Sequence, residues 1–267
     1  MNISLAYGRG RLAVNVPEER TTVIEPSYVE GLPDEATAIR HALRQPIGSQ
    51  PLRTLVSTEH TVAISVCDIT RPMPSSTLLP VLLEELSHVP TTQIKILIAA
   101  GTHRECTHDE LVEMLGESIV DNCHIINHNA FDESSLVHLG EVEPDVPIWL
   151  NRHWVDADIR ITTGFVEPHF FAGFSGGPKL VAPGLAGFKT TMRLHDAEMI
   201  GSPNARWGIT EGNPIHDAIR RIAAHVGVHF SVDVAINRNR EITSLAAGTL
   251  FEAVSYTHLT LPTILLV

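Results

Sequence analysis

Three short apolar runs limit what this chain can become. Residues 61–67 (TVAISVC) and 94–100 (IKILIAA) are apolar and rich in β-branched side chains, and 159–163 (IRITT) continues the series. Runs of this length and composition make buried strands. Helical segments fall between and around them. Asp34 caps a helix running to Arg44 and stopped by Pro46, followed by a loop over 46–53. Ser75 and Ser76 lead a helix to about His88. Thr107 caps the next, with Glu110 completing a capping box. Further helices are expected over 187–200 and over 214–225, the latter capped by Asn213. Short strands are expected at 3–7, 12–16, 22–24, 124–126, 228–236 and 242–245. Strands alternating with helices define an α/β fold with a largely parallel sheet and flanking helices.

At 267 residues the chain can bury a sizeable core. Its net charge of −12 disfavours nucleic acid or an anionic membrane as the main partner. A small anionic substrate is still allowed, because a few arginines can make one basic pocket. Cys67, Cys106 and Cys123 show no paired spacing, which points to a reducing, cytoplasmic setting. The N-terminus lacks the apolar core of a signal peptide, and no run is long enough to span a bilayer.

Polar clusters follow three of the expected strands. Asp68-Ile69-Thr70-Arg71-Pro72 ends the first, Gly101-Thr102-His103-Arg104 the second, and the stretch containing His169 the third. Ligands of open α/β sheets bind at the carboxyl ends of the strands. Arg71 can hold a carboxylate through two parallel hydrogen bonds. His103 at a strand end suits general acid–base work.

The segment from 163 to 199 carries the most chemistry. It holds a glycine-rich turn (Gly173, Ser175, Gly176, Gly177), then Lys179, flanked by His169 and His195. Glycines permit close approach of backbone to a ligand. Several chemistries are compatible with these residues. Gly173 to Gly177 matches the G-x-S-x-G elbow of serine hydrolases, but the expected strand ends nine residues early. His103, His169 and His195 can form a zinc trio, although none belongs to a local H-x-x-x-H pair. The pairs His124/His128 and His225/His229 have that spacing but fall on a strand or a helix end, and read as structural. Lys179 can form a Schiff base with pyridoxal phosphate. A non-catalytic ligand-binding domain is a further alternative.

Taken together, DITRP at 68–72, GTHR at 101–104, EPHFFAGFSGGPK at 167–179 and the histidine of MRLHD at 195 resemble the nickel-pincer lactate racemase family. The resemblance runs from about residue 3 to residue 253. It implies a 2-hydroxy acid racemase that works by reversible hydride transfer. It also implies nickel held by a pyridinium-3-thioamide-5-thiocarboxylic acid mononucleotide, which dedicated maturation enzymes build. By the same resemblance Lys179 tethers the cofactor beside Gly173, Ser175, Gly176 and Gly177. His195 ligates nickel, His103 and His169 are the acid–base pair, Arg71 lies near the substrate carboxylate, and Asp68 belongs to the same motif as Arg71.

The family continues into a second, smaller α/β domain that is missing here. Residues 1–253 are therefore expected to be the N-terminal cofactor-binding and catalytic domain. Residues 254–267, ending in THLTLPTILLV, read as a non-native tail of translated sequencing-adapter type.

Overall fold

The computed structural model of the chain describes residues 1–8, 10–24, 28–143 and 145–260, the last five by backbone alone. The expected tail from residue 261 onward lies outside them. The chain divides between Tyr28 and Val29 into two compact units.

The smaller unit contains an antiparallel hairpin of β1 (Asn2–Tyr7) and β2 (Gly10–Asn15), with Asn2 opposite Asn15. The strand expected at 22–24 is absent. Its β-branched residues favour extended backbone, but a strand also needs a paired neighbour.

The larger unit opens with α1 (Glu35–Arg44), whose Thr37 N–H donates to the Asp34 carboxylate as expected of a cap. A single turn, α2 (Leu52–Leu55), closes the expected loop. Then come β3 (Val62–Cys67), α3 (Ser75–Glu85), β4 (Ile94–Ala99), α4 (His108–Leu115), α5 (Glu117–Asn122) and β5 (His124–Asn127). The capping box of Thr107 and Glu110 forms in full. Helix α3 stops three residues before His88, where the ring Nε2 lies 2.7 Å from Val56 O instead of continuing the helix face.

A hairpin that the sequence reading missed follows, β6 (Leu136–Val142) and β7 (Val146–Asn151). After α6 (Arg152–Val155) come β8 (Ile159–Phe165) and two two-residue strands, β9 (Pro168–His169) and β10 (Gly173–Phe174). The helix expected over 187–200 is two helices, α7 (Phe188–Leu194) and α8 (Ala197–Ile200). Asp196 breaks it, because its carboxylate accepts from Met199 N–H and starts a new cap. The unit ends with α9 (Pro214–Val226), β11 (Phe230–Ile236), β12 (Ile242–Gly248) and α10 (Leu250–Thr260). Asn213 caps α9 through the N–H groups of Ile215 and His216.

Six strands form the central sheet in the order β12-β11-β8-β3-β4-β5. All pairs are parallel except β11 with β12. The chain moves outward from β3 through β4 to β5, then returns to lay β8 on the other side of β3. This reversal makes a topological switch point at the carboxyl ends of β3, β4 and β8, where α/β sheets leave a crevice.

The two faces of the sheet differ. Val62, Ile64, Val66, Ile96, Ile98, Ile161, Val232 and Val234 pack on one face beneath α1 and α3, with Ile39, Leu43, Leu78 and Leu82. The alternate residues of the central strands are Ala63, Ser65, Thr162, Gly164, Ser231 and Asp233. Those small and polar side chains leave space for a 3-10 turn, Gly177–Leu180, to lie directly on the sheet. Ser65 fixes it there by donating its hydroxyl to Leu180 O at 2.8 Å. Period-two alternation thus separates a packing face from a face that carries the lysine turn.

Candidate active site

The crevice at the switch point is a cavity of about 160 Å³. Asp68 and Arg71 reach it from the end of β3, His103 from the end of β4, and His169 from the segment after β8. Ser175, Gly176, Lys179 and His195 complete the wall. Of the residues singled out from the sequence, Gly173 and Gly177 lie outside this lining. Gly173 pairs with His169 across the β9–β10 bridge, and Gly177 starts the lysine turn.

Asp68 and His103 form a dyad. Asp68 is buried, and its Oδ2 lies 2.8 Å from His103 Nδ1, while Thr70 donates to Oδ1 at 2.7 Å. His103 Nδ1–H therefore donates to the carboxylate, and Nε2 keeps its lone pair. Asp68 does not pair with Arg71. The guanidinium instead stands 3.6 Å from the carboxylate of Glu167, which burial pushes above the usual carboxylate range.

His169 has the opposite arrangement. Its Nδ1 accepts the Ala172 N–H at 3.2 Å, so the proton of the neutral ring sits on Nε2. Burial, with Lys179, Arg71 and His195 nearby, pushes its pKa down to about 3. His195 ends α7 and is not inside a helix, contrary to the sequence expectation. Its Nδ1–H donates to Thr191 O at 2.7 Å, which directs an Nε2 lone pair away from the helix. The ring of Phe171 stands edge-on to both histidines, at 4.6 Å from His169 and 5.1 Å from His195.

Lys179 is half-buried and lines the cavity. Burial, helped by Arg71, pushes its amine down to about 7. A neutral lysine amine is a nucleophile, and a lowered pKa raises the neutral share near neutral pH. Its turn is held from beneath by Asp233, which sequence reasoning missed. Asp233 is fully buried; its Oδ1 accepts Gly177 N–H at 2.7 Å and its Oδ2 accepts the Ser231 hydroxyl at 2.6 Å. Ser231 in turn accepts from Thr162. Gly176 has φ +84°, and a Cβ there would meet Asp233 Oδ1 at 2.8 Å, so glycine is required on both counts. Asp233 was legible only as one polar residue in an apolar strand, FSVDVAI.

Ser175 is not placed as a nucleophile. Its hydroxyl donates to Phe165 O at 2.7 Å and accepts Glu167 N–H at 2.8 Å, tying the glycine-rich turn to the end of β8. The elbow geometry of a serine hydrolase is absent, since β8 ends ten residues earlier. Nor is there a zinc trio: among the described residues no three His, Cys, Asp or Glu side chains are grouped to hold a metal ion. His128 is a structural histidine, with Nε2 2.9 Å from Ala186 O and Nδ1 3.2 Å from the Asn151 amide. His229 likewise accepts the Arg160 N–H at 3.1 Å. All three cysteines are free, and no described helix is long and apolar enough to cross a membrane.

The fold and the site define an α/β protein with an enzyme-type cleft, in which a lysine and three histidines converge at a sheet switch point. Residues 7–208 match the lactate racemase N-terminal domain, and the chain belongs to that family. It is 37% identical over 250 residues to the lactate racemase of Lactiplantibacillus plantarum, and 35% identical over 252 residues to that of Thermoanaerobacterium thermosaccharolyticum. Each alignment covers 92% of this chain and 59% of the relative, so the chain spans about three-fifths of the relatives' length. The structure of the T. thermosaccharolyticum lactate racemase apoprotein superposes with a TM-score of 0.86 at 34% identity, over 97% of this chain and 61% of that one. A protein from Thermotoga maritima shares the fold, at a TM-score of 0.71 and 23% identity over 86% of this chain and 59% of that one.

Proposed function

We propose that the full-length protein interconverts the enantiomers of a lactate-like 2-hydroxy acid in the cytoplasm, using nickel and the pyridinium-3-thioamide-5-thiocarboxylic acid mononucleotide. The observation that carries this reading is the convergence of Lys179, His195, His103, His169 and Arg71 on one cavity, in a chain of the lactate racemase family.

The residues present fit the cofactor. Lys179 offers a neutral amine for a covalent tether, and His195 offers an oriented Nε2 lone pair as a metal ligand. One imidazole is a weak site alone, so the remaining donors come from the bound group, whose soft sulfurs suit nickel. When bound, the pyridinium ring supplies a hydride acceptor, which spares the substrate a carbanion.

The chain's own residues do the remaining work. Arg71 binds the substrate carboxylate, displacing the loose contact with Glu167. His103 Nε2 takes the hydroxyl proton, and Asp68 steadies the resulting imidazolium through Nδ1–H. His169, with its proton on Nε2, donates a hydrogen bond to the same oxygen from the other wall, and the proton held by His103 goes back to that oxygen when the carbonyl is reduced. Maturation enzymes that build and deliver the cofactor are the expected protein partners.

The test uses the full-length protein made together with those enzymes and given single enantiomers of several 2-hydroxy acids. Racemisation should appear with at least one, vanish in Lys179→Ala, and persist in Ser175→Ala. Loss in Ser175→Ala with retention in Lys179→Ala contradicts the proposal.

A further inference from the structure

Two adjacent threonines in α7 have different roles. Thr190 is fully buried and its hydroxyl is doubly engaged: it donates to Pro147 O at 2.6 Å and accepts the Trp149 N–H at 2.9 Å. It fastens α7 to β7. Thr191 is also buried, at 6% exposure, but its Oγ1 has no hydrogen-bond partner. Buried hydroxyls are nearly always partnered, and an orphan calls for a reason. A helical threonine can bond the carbonyl one turn back, yet Gly187 O receives only the Thr191 backbone N–H.

The position of Thr191 supplies the reason. Thr191 is one of the residues that line the cavity, with Arg71, Lys179 and the three histidines, while its Oγ1 is buried. Its carbonyl oxygen receives His195 Nδ1–H, so the residue is coupled to the ring proposed as metal ligand. A single rotamer step about χ1 exchanges the hydroxyl and methyl positions. That step breaks no hydrogen bond, because the hydroxyl has none.

We infer that the Thr191 hydroxyl is a ligand-binding group, donating to an anionic oxygen of a molecule seated between His195 and Arg71. The acceptor is either the carboxylate of the 2-hydroxy acid or an anionic group of the pyridine mononucleotide. The inference rests on the function proposed above and adds to it a residue that neither sequence motif nor charge revealed.

Thr191→Val, Thr191→Ser and Thr190→Val separate a ligand-binding hydroxyl from a structural one. The readouts are thermal melting of this chain and titration calorimetry with two probes, lactate and nicotinate mononucleotide. Thr191→Val replaces an unpartnered buried hydroxyl by a methyl of the same shape. It should melt about 2–4 °C above wild type, whereas Thr190→Val should melt below it. The same variant should bind at least one probe about tenfold more weakly, the loss expected for one hydrogen bond to a charged group, while Thr191→Ser binds normally. The probe that weakens identifies the acceptor. Wild-type affinity of Thr191→Val for both probes, or a melting point below wild type, overturns the inference. Binding of neither probe by wild type contradicts the underlying reading of the site.

Discussion

The two walls of the cavity are built differently. On one, Asp68 and His103 stand at the ends of adjacent parallel strands, β3 and β4, and the ring is held by a carboxylate. On the other, His169, Lys179 and His195 come from about thirty residues of tight turns and short helices, and the Nδ1 atom of each ring is hydrogen-bonded to a backbone group. The consequence is chemical. Asp68 leaves His103 with a free Nε2 and a partner for positive charge. Ala172 leaves His169 with a proton on Nε2, among cations that oppose a second one. The histidines are therefore not mirror images: one ring offers a lone pair at Nε2 and the other a proton.

Substitutions of the two histidines should have the largest effect. In the loaded full-length protein, His103→Ala and His169→Ala should each lower kcat by about 10²–10⁴-fold, the usual worth of a positioned acid or base. Asp68→Asn should lower kcat by less than His103→Ala and change the pH profile, because an amide cannot balance an imidazolium. Nitrogen-15 spectra of the neutral rings should show His103 protonated at Nδ1 and His169 at Nε2. Identical tautomers would remove the asymmetry.

The next effect tests how the irregular wall is supported. Asp233→Ala strands the Gly177 N–H and the Ser231 hydroxyl in the interior. It should cost about 2–3 kcal/mol in urea unfolding, and Asp233→Asn about 1 kcal/mol, since an amide oxygen can still accept from Gly177. Equal and negligible losses would mean that the lysine turn does not depend on Asp233.

A smaller effect concerns Lys179 and pH. Its folded pKa of about 7 lies well below that of an unfolded lysine. Between those values the unfolded chain holds the extra proton, so this group makes stability rise with pH. Lys179→Met lacks the term. Its stability advantage over wild type should be greatest at and below pH 7 and shrink toward pH 10, as read from urea midpoints. A pH-independent difference would mean an ordinary, solvated amine.

The same contrast explains what the sequence disclosed. The regular wall was legible because it follows strand ends. Runs 61–67 and 94–100 marked β3 and β4, and the residues after them had to meet at the sheet edge. Residue identities alone placed Lys179, His169 and His195 in the irregular segment, not its path. The break at Asp196 was hidden because an aspartate inside an apolar pattern reads equally as a helical surface residue and as a new cap. Hairpin β6–β7 was missed because its strands carry weak alternation and no glycine-based hairpin signal lies between them. Asp233 and Thr191 escaped because their importance comes from contacts across 56 residues of chain in one case, and from a missing hydrogen bond in the other.

We propose that Lys179 is a point of covalent attachment and that His195 binds metal only through what is attached there. The chain has three lysines, which makes the assignment simple. Lys189 pairs with Glu133 at 2.9 Å, and Lys95 contacts His153 at 3.4 Å, both away from the cavity. Intact-mass spectrometry, peptide mapping and metal analysis should be run on protein from cells with and without the cofactor-building enzymes. An added mass on Lys179, with nickel, is expected only when those enzymes are present. Stoichiometric nickel or zinc in protein made without them, retained after Lys179→Ala, would show a conventional histidine metal site and contradict the proposal.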